Sequence, residues 1–253
     1  MMKDLSVVII TLNEERNIGR CIESVSGLAK EVVVVDSLST DRTKAIAEAA
    51  GARVVDQPFL GHIEQKNFAI EQASHEVILS LDADEALSTE LKSSIEKVLR
   101  RFDQDGYTMN RLTNFCGKWI RHGGWYPDTK LRLFRKGQGA WTGTNPHDRY
   151  ALKSGLKSGK LKGDLLHYSF YSVEEHLVQI EKFSAISSEA KYKEGIRSNW
   201  PKILIKTAAK FAKAYVIKLG FLDGYYGWVI AKNSAFATYL RYRKLLDLQS
   251  KKA

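Results

Sequence analysis

The chain has 253 residues, 44% of them hydrophobic and 27% charged, so it can bury a core as one large or two small globular domains. Its two cysteines exclude a disulfide framework, and no stretch offers the ~18 uncharged apolar residues of a membrane-spanning helix. The net charge of +10 is uneven, because residues 198–253 hold eleven Lys/Arg and two Asp while residues 1–197 are close to neutral. With no signal-peptide pattern at its start, the chain is expected in the cytoplasm.

The first hundred residues alternate between continuous apolar runs and amphipathic segments. The runs predict buried strands, at residues 5–11, 31–36, 53–56 and 77–81. The segments between and after them predict helices, following Asn13, Arg42 and Ser88 and passing through Gln65 to Asn67. Alternation of this kind indicates βαβ units, and we expect an α/β fold with a Rossmann-like, mainly parallel sheet flanked by helices.

Polar clusters follow three of these strands, beginning at Thr11, at Asp36 and at Asp82. Ligands of open α/β sheets bind beyond the carboxyl ends of the strands. Asp82 and Asp84, one residue apart, can share Mg²⁺ or Mn²⁺ with a substrate phosphate and water. A helix cap or solvated turn is the simpler interpretation of each cluster alone. The glycine-rich dinucleotide motif and the phosphate loop are both missing, which disfavours oxidoreductases and phosphate-loop ATPases.

After Gly106 the pattern changes to short strands and loops. Strands are predicted at 107–111, 130–135 and 165–169, loops at 116–127 and 141–149, and a helix after a capping box at Ser172. Arg132 and Arg135 alternate with apolar residues, so both are expected on one side of a strand, facing an anionic acceptor or a diphosphate. A solvated strand face is the alternative.

The basic tail begins with a helix at Pro201. Four lysines fall on one stripe of this helix, opposite an apolar face: Lys202, Lys206, Lys210 and Lys213. Residues 219–231 are apolar and aromatic, and Arg241 to Lys244 add further charge. The pattern predicts contact with an anionic membrane surface. A helix packed on the catalytic domain, or a dimer contact, would show the same apolar face.

Several motifs in order carry a family resemblance: residues 11–15, 35–43, 66–67 and 81–85 resemble the signature series of family 2 glycosyltransferases with the GT-A fold. Residues 125–127, 132–135, 146–148 and 167–169 are similar to the subgroup of lipopolysaccharide core β-glucosyltransferases. Where that subgroup has Glu after the histidine of the third motif, this chain has the shorter Asp148.

The resemblance implies a GT-A catalytic domain at 1–197, with a nucleotide-sugar-binding half at 1–105 and an acceptor-binding half at 106–197, followed by the helical amphipathic tail at 198–253. It implies inverting transfer of a sugar, with glucose and UDP favoured, to a lipopolysaccharide core or other envelope glycoconjugate. The enzyme would then work at the inner face of the cytoplasmic membrane. A divalent metal, Mg²⁺ or Mn²⁺, would neutralise the leaving diphosphate.

Residue roles follow from the same resemblance. The donor would be held by seven side chains: Thr11, Asn13, Glu14, Asp36, Lys66, Asp82 and Asp84. The metal would be held by Asp84, with Asp82 and His167 beside it; His167 is otherwise a core histidine. Asp148 is the expected base, and one base opposite the leaving group inverts the anomeric carbon. The acceptor or diphosphate would be met by Glu85, Trp125, Arg132, Arg135 and His147, with His147 also a lesser candidate for the base.

Two other classes of protein are alternatives to the glycosyltransferase hypothesis. A sugar nucleotidyltransferase would need a glycine-rich, arginine-containing loop after the first strand, and residues 11–16 contain no glycine. A nucleic-acid-binding protein would interleave basic and aromatic residues on a recognised module, which the near-neutral 1–197 region does not do. No nucleic-acid partner is therefore expected, and the oligomeric state is left open.

Overall fold

The computed structural model describes residues 3–144 and 147–250, with His147 described by its backbone alone. Its contacts divide the chain into two compact units. The first consists of Met1–Arg111 and Asp128–Tyr168, and the second of Leu112–Pro127 and Ser169–Ala253. These boundaries differ from the predicted ones, since residues 112–127 group with the C-terminal helices.

Four parallel strands form one part of the sheet, in the order β3-β2-β1-β4. They are β1 (Leu5–Thr11), β2 (Glu31–Asp36), β3 (Arg53–Asp56) and β4 (Val77–Asp82), and the helices between and after them are α1 (Ile18–Val25), α2 (Thr43–Ala49), α3 (His62–Gln72) and α4 (Thr89–Arg100). The inner strands are continuously apolar because both faces are buried, with Val7 in one hydrophobic cluster and its neighbour Val8 in the other.

Four more strands continue the sheet beyond β4, in the order β8-β6-β11-β5, and β8 is antiparallel to both of its neighbours. They are β5 (Glu85–Leu87), β6 (Gly106–Phe115), β8 (Asp128–Arg135) and β11 (Ser158–Phe170), and β7 (Lys118–Ile120) pairs with the end of β6. The predicted α/β fold with a central sheet flanked by helices is confirmed. The sheet is mixed, because β1–β4 pair in parallel whereas β8 is antiparallel to both β4 and β6.

A hairpin occupies the segment predicted as a loop at residues 141–149, and that prediction was wrong. Its strands are β9 (Gly139–Thr144) and β10 (His147–Leu152), paired so that Trp141 lies opposite Tyr150. The Tyr150 ring also stacks on Phe134, with ring centroids 3.6 Å apart. A Cβ at Gly139 would collide with the carbonyl oxygen of Ala151, so the close strand pairing requires glycine there. Packing of aromatic rings between distant segments stabilises this hairpin, and local sequence does not reveal it.

The second unit is built on three helices: α5 (Val173–Lys193), α6 (Trp200–Ala212) and α7 (Gly224–Ser250). A π-helical turn (Lys213–Ile217) and a 3-10 turn (Gly220–Asp223) join α6 to α7. The predicted capping box at Ser172 is confirmed, because its side chain accepts from Glu175 N and the Glu175 carboxylate accepts from Ser172 N. No helix in the described part of the chain has both the length and the apolar character needed to cross a membrane.

Candidate functional site

The polar segments that follow β1 and β2 bind each other. Asn13 N donates to Ser39 Oγ at 2.8 Å, and Thr40 N donates back to Asn13 Oδ1 at 2.8 Å. Glu14 N likewise donates to Thr43 Oγ1 at 2.8 Å. Asn13 has a φ of 54°, in the left-handed region that asparagine adopts more readily than most residues. The two predicted clusters therefore form a single structure beyond the strand ends.

Two buried polar atoms beside these loops have no partner among the described residues: Thr11 Oγ1 and Gln65 Oε1. Gln65 Nε2 donates to Ser37 Oγ and to the Gln57 carbonyl, both at 3.0 Å, which leaves the amide oxygen free to accept. Buried polar atoms are nearly always paired, so this pair of unpaired atoms is suited to the polar atoms of a ligand. Sequence reasoning missed Gln65, whose one signal is its position beside Lys66.

Asp36, predicted to bind the donor, is fully buried. Its carboxylate accepts from Ser39 N at 2.7 Å and from the Ser39 hydroxyl. In this structure Asp36 therefore shapes the loop after β2, and its contact with a donor stays a prediction.

Asp82, at the end of β4, lies between two cations. Arg132 Nη2 donates to its Oδ2 at 2.8 Å, and Lys66 Nζ is 3.0 Å from its Oδ1. Burial by itself would raise the pKa of Asp82, but Arg132 and Lys66 outweigh it and hold that pKa well below the usual range. The carboxylate is therefore ionised and directed at these cations.

Lys66 links Asp82 to the expected base. Its Nζ donates to Asp148 Oδ2 at 2.7 Å, and the Asp148 side chain is 11% exposed. The same ammonium lies 4.4 Å from the centre of the Trp141 ring. Lys66 thus bridges two carboxylates contributed by β4 and β10. For His147, β10 pairing with Thr144 is described, whereas its side chain and Pro146 lie outside the described residues.

Arg132 is a buried side chain at an irregular point of β8. Pairing with β6 passes from Leu133 directly to Leu131, which leaves Arg132 in a bulge. Such bulges often redirect a side chain beside an active site. Besides Asp82, its Nη2 donates to Glu85 Oε1 at 2.7 Å, while Nε and Nη1 are buried without a partner among the described residues. These two free donors are suited to an anionic group.

Glu85, predicted to meet the acceptor, has a fully buried side chain. One of its oxygens binds Arg132, and the other accepts from Asp82 N at 3.0 Å. Its contacts in the structure therefore hold Arg132 and the Asp82 backbone in place. Arg111, 3.5 Å from the same carboxylate, is a charged residue that sequence reasoning missed.

Arg135 does not share a side of the strand with Arg132, and that prediction was wrong. Arg132 lies over Trp141, whereas Arg135 lies over Phe102, which belongs to the other hydrophobic cluster. Arg135 is held by Glu76 at 2.8 Å and by the Phe102 carbonyl. Side chains alternate along a strand, so two residues three apart face opposite sides unless a bulge intervenes on the segment between them.

Asp84 and His167 face each other, with Oδ2 and Nε2 3.1 Å apart. Burial would raise the pKa of Asp84, but His167 outweighs it and lowers that pKa. Neighbouring ligands of one octahedral ion, each ~2.1 Å from the metal, lie about 3 Å apart, so this pair fits two positions of a divalent ion. The described residues contain no group of three or more His, Cys, Asp or Glu arranged for a metal. The other ligands would then come from a diphosphate and water.

Trp125, predicted to stack on a sugar, belongs to the second unit. Its indole packs edge-to-face against Phe115, with centroids 5.8 Å apart, and against His176 at 5.7 Å. Burial in this aromatic cluster lowers the pKa of His176 to about 4. Local packing accounts for the indole, and the stacking role stays a prediction.

Glu14 gives the site a pH dependence. Burial raises its pKa from 4.5 to about 7, with Asp84 and Asp41 adding to the effect. A carboxyl whose folded pKa lies above its unfolded pKa favours folding fully below the unfolded value and loses this effect as pH rises through the folded value. In the presence of a chelator, we expect the free energy of unfolding to fall as pH rises from about 4.5 through about 7.

Denaturant unfolding of Glu14→Gln across this pH range checks the expectation. The amide cannot ionise and can still accept the bond from Asn17, so the variant should show a shallower fall in stability and a gain over wild type at pH 8. Glu23→Gln, at an exposed position, is the matched control and should keep the wild-type slope. An unchanged slope in Glu14→Gln would contradict the assignment.

Comparison with known proteins shows which protein family the chain resembles. The family model described as Glycosyl transferase family 2 matches residues 6–162. An uncharacterized glycosyltransferase of Rickettsia typhi is 33% identical, with 99% of this chain and 89% of the relative covered. The lipopolysaccharide core biosynthesis glycosyltransferase LpsC of Rhizobium meliloti is 29% identical, with 98% and 94% covered.

Among solved structures, Staphylococcus aureus TarS matches with a TM-score of 0.47 and 16% identity, over 72% of this chain and 39% of that one. A glucosyl-3-phosphoglycerate synthase of Mycobacterium tuberculosis, in complex with Mn²⁺ and UDP, matches with a TM-score of 0.37 and 28% identity, over 44% of each chain.

Proposed function

The chain belongs to the family 2 glycosyltransferases, and on that basis we propose that it transfers a sugar, with inversion, from a UDP-sugar to an envelope glycoconjugate. The observation that carries the proposal is the chain of charges from Asp148 through Lys66 and Asp82 to Arg132. It surrounds Asp82 at the carboxyl end of β4, where an anionic donor would meet two cations.

Donor binding is assigned to the strand ends of the first unit. The unpaired Thr11 hydroxyl and Gln65 amide oxygen supply one donor and one acceptor for a nucleobase. The free Nε and Nη1 of Arg132 would bind phosphate oxygens, for which a guanidinium is well shaped. Asp84 and His167 would hold a divalent ion, which when bound neutralises charge on the diphosphate.

Proton transfer is assigned to Asp148. As the acceptor hydroxyl attacks the anomeric carbon, its proton passes to a carboxylate oxygen of Asp148, and the bond to the diphosphate breaks on the opposite face. The Asp148 carboxylate and the donor phosphates are both anions that the flexible Lys66 side chain could reach. When the donor binds, Lys66 would therefore move from Asp148 to the phosphates. This exchange frees the base only when the donor is present.

The acceptor is proposed from relatives. LpsC is a lipopolysaccharide core biosynthesis glycosyltransferase related along nearly the whole chain, so a lipopolysaccharide core, or a similar lipid-linked glycan, is the proposed acceptor. Glucose is the proposed sugar. We further propose that residues 198–253 bring the enzyme to the inner face of the cytoplasmic membrane, through contact with anionic lipid.

A donor hydrolysis assay tests the proposed reaction. The purified chain is incubated with UDP-glucose, UDP-galactose, GDP-mannose or ADP-glucose in Mg²⁺ or Mn²⁺, and released nucleoside diphosphate is measured. We expect release of UDP from a UDP-sugar and little release from the other donors. Release no greater than in enzyme-free samples for every donor, together with no calorimetric binding of UDP, would refute the proposal.

A further inference from the structure

An exposed apolar surface joins α6 to α7 in the second unit. Half of the exposed large hydrophobic side chains among the described residues lie between Trp200 and Trp228. Six of them form what we call the apolar turn: Val216, Ile217, Leu219, Phe221, Leu222 and Tyr225. Ile217 is 70% exposed and Tyr225 is 69% exposed. Large apolar side chains exposed together along one short segment indicate an interaction site.

The inner side of this turn explains why its apolar residues face outward. The backbone at Gly220 and Gly227 is so closely packed that a Cβ on Gly227 would collide with the Gly220 carbonyl. The buried Asp223 carboxylate accepts from the backbone N–H groups of Arg121 and His122, and lies 3.1 Å from His122 Nδ1. Polar contacts and close backbone packing thus fill the inside, and the large side chains are left outside.

Basic residues accompany the apolar turn in the chain. Four exposed lysines precede it or lie within it: Lys206, Lys210, Lys213 and Lys218. Residues 198–222 contain no acidic residue, and the ion pairs of the described residues include none of these four lysines. Partial burial of the otherwise exposed Lys210 and the nearby cations Lys213 and Arg241 lower the pKa of Lys210. Asp223, the acidic residue of the apolar turn, is buried, so the exposed cations of this segment are complementary to anionic headgroups.

Two cations of α7, unlike the four lysines above, bind carboxylates of the second unit. Lys244 Nζ binds the Glu181 carboxylate at 2.6 Å and Ser184 Oγ at 2.9 Å, and Arg243 binds Asp247 at 2.6 Å. The basic run at Arg241 to Lys244, predicted to add charge at a membrane, therefore has two of its cations in contacts within the second unit. Membrane contact is left to α6 and the turns that follow it.

We propose that the apolar turn inserts into the interface of an anionic bilayer, with the four lysines bound to lipid headgroups. This inference rests on the membrane partner of the proposed function and names the surface that makes the contact. Aromatic and aliphatic side chains enter the headgroup region while the lysines stay with the phosphates, as in interfacial anchors. The contact would hold the enzyme at the surface where a lipid-linked acceptor is found.

Vesicle flotation of the full chain tests the proposal. Wild type is compared on phosphatidylcholine vesicles with and without phosphatidylglycerol, at low and high salt. The test variant carries Ile217→Ser, Leu222→Ser and Tyr225→Ser. The control variant carries Leu177→Ser, Val178→Ser and Ile186→Ser, which are exposed apolar positions on α5. We expect about tenfold or weaker binding of the test variant to anionic vesicles and wild-type binding of the control.

Several results would overturn the proposal. The first is wild-type protein that does not bind vesicles, or that binds neutral and anionic vesicles equally. The others are a test variant that binds like wild type and a control variant that loses as much binding as the test variant. If lipid-free wild type forms a dimer that the test variant does not, a second copy covers the turn instead. Nucleotide release in lipid-free buffer tests the proposed glycosyl transfer without a membrane. Vesicle flotation tests membrane insertion without the reaction, so the failure of one proposal can be told from the failure of the other.

Discussion

Replacing Asp84 by Asn is expected to lower nucleotide release from the donor by at least about 100-fold. The change keeps the size of the side chain and leaves the backbone carbonyl that accepts from Tyr168 N at 2.8 Å. It removes the charge that, with His167, would bind a divalent ion. Turnover is followed as UDP release, and Mn²⁺ affinity in the presence of UDP is measured by calorimetry, so that metal binding is read independently of activity.

Glu96→Gln is the matched control, because Glu96 forms an exposed pair with Arg100 on α4. It should leave turnover and Mn²⁺ affinity unchanged. His167→Gln should weaken Mn²⁺ binding in the same direction as Asp84→Asn. Full turnover and full Mn²⁺ affinity in Asp84→Asn would remove both the metal assignment and the proposed role of this aspartate.

Asp148→Asn is expected to lower kcat for transfer to the acceptor about 10²–10⁴-fold, with the affinity for UDP little changed. The amide can keep one contact with Lys66 but cannot take the proton of the acceptor hydroxyl. Lys66→Gln is expected to differ, because it removes a cation that would bind the donor and should raise the KM for the donor. Both are measured as transfer rates across donor concentrations, with UDP affinity measured separately.

Glu76→Gln is the control for this pair of variants, because Glu76 binds Lys3 and Arg135 at the opposite end of β4. Its KM and kcat should match wild type. If Asp148→Asn transfers sugar at the wild-type rate, another group is the base. If Lys66→Gln changes kcat alone, Lys66 acts on Asp148 rather than on the donor.

Features that depend on neighbouring residues were predictable from the sequence. Strands β1, β2 and β4 lie close to their predicted bounds, because a strand buried on both faces must be continuously apolar. The capping box at Ser172 was predictable because its partner, Glu175, is only three residues away in the chain. The family assignment was also within reach, because its motifs are short segments at strand ends.

Features that depend on residues distant in the chain could not be predicted from the sequence. The hairpin of β9 and β10 is stabilised by Tyr150 packing on Phe134, which belongs to another strand. The bulge that isolates Arg132 is a property of pairing between β6 and β8. Expecting Arg132 and Arg135 on one side of β8 also overlooked the alternation of side chains along a strand.

The sequence by itself determined the α/β fold, the polar strand ends and the identity of the candidate residues, since each is encoded within a few neighbouring positions. Tertiary structure alone decided which charges meet. Lys66 and Asp148 are 82 residues apart in the chain, yet their side chains are 2.7 Å apart. It also decided which apolar residues of the basic tail are exposed, because Gly220, Asp223 and Gly227 fill the inner side of the turn. Ion pairing and burial are set by contacts across the chain, and a single sequence carries no direct record of them.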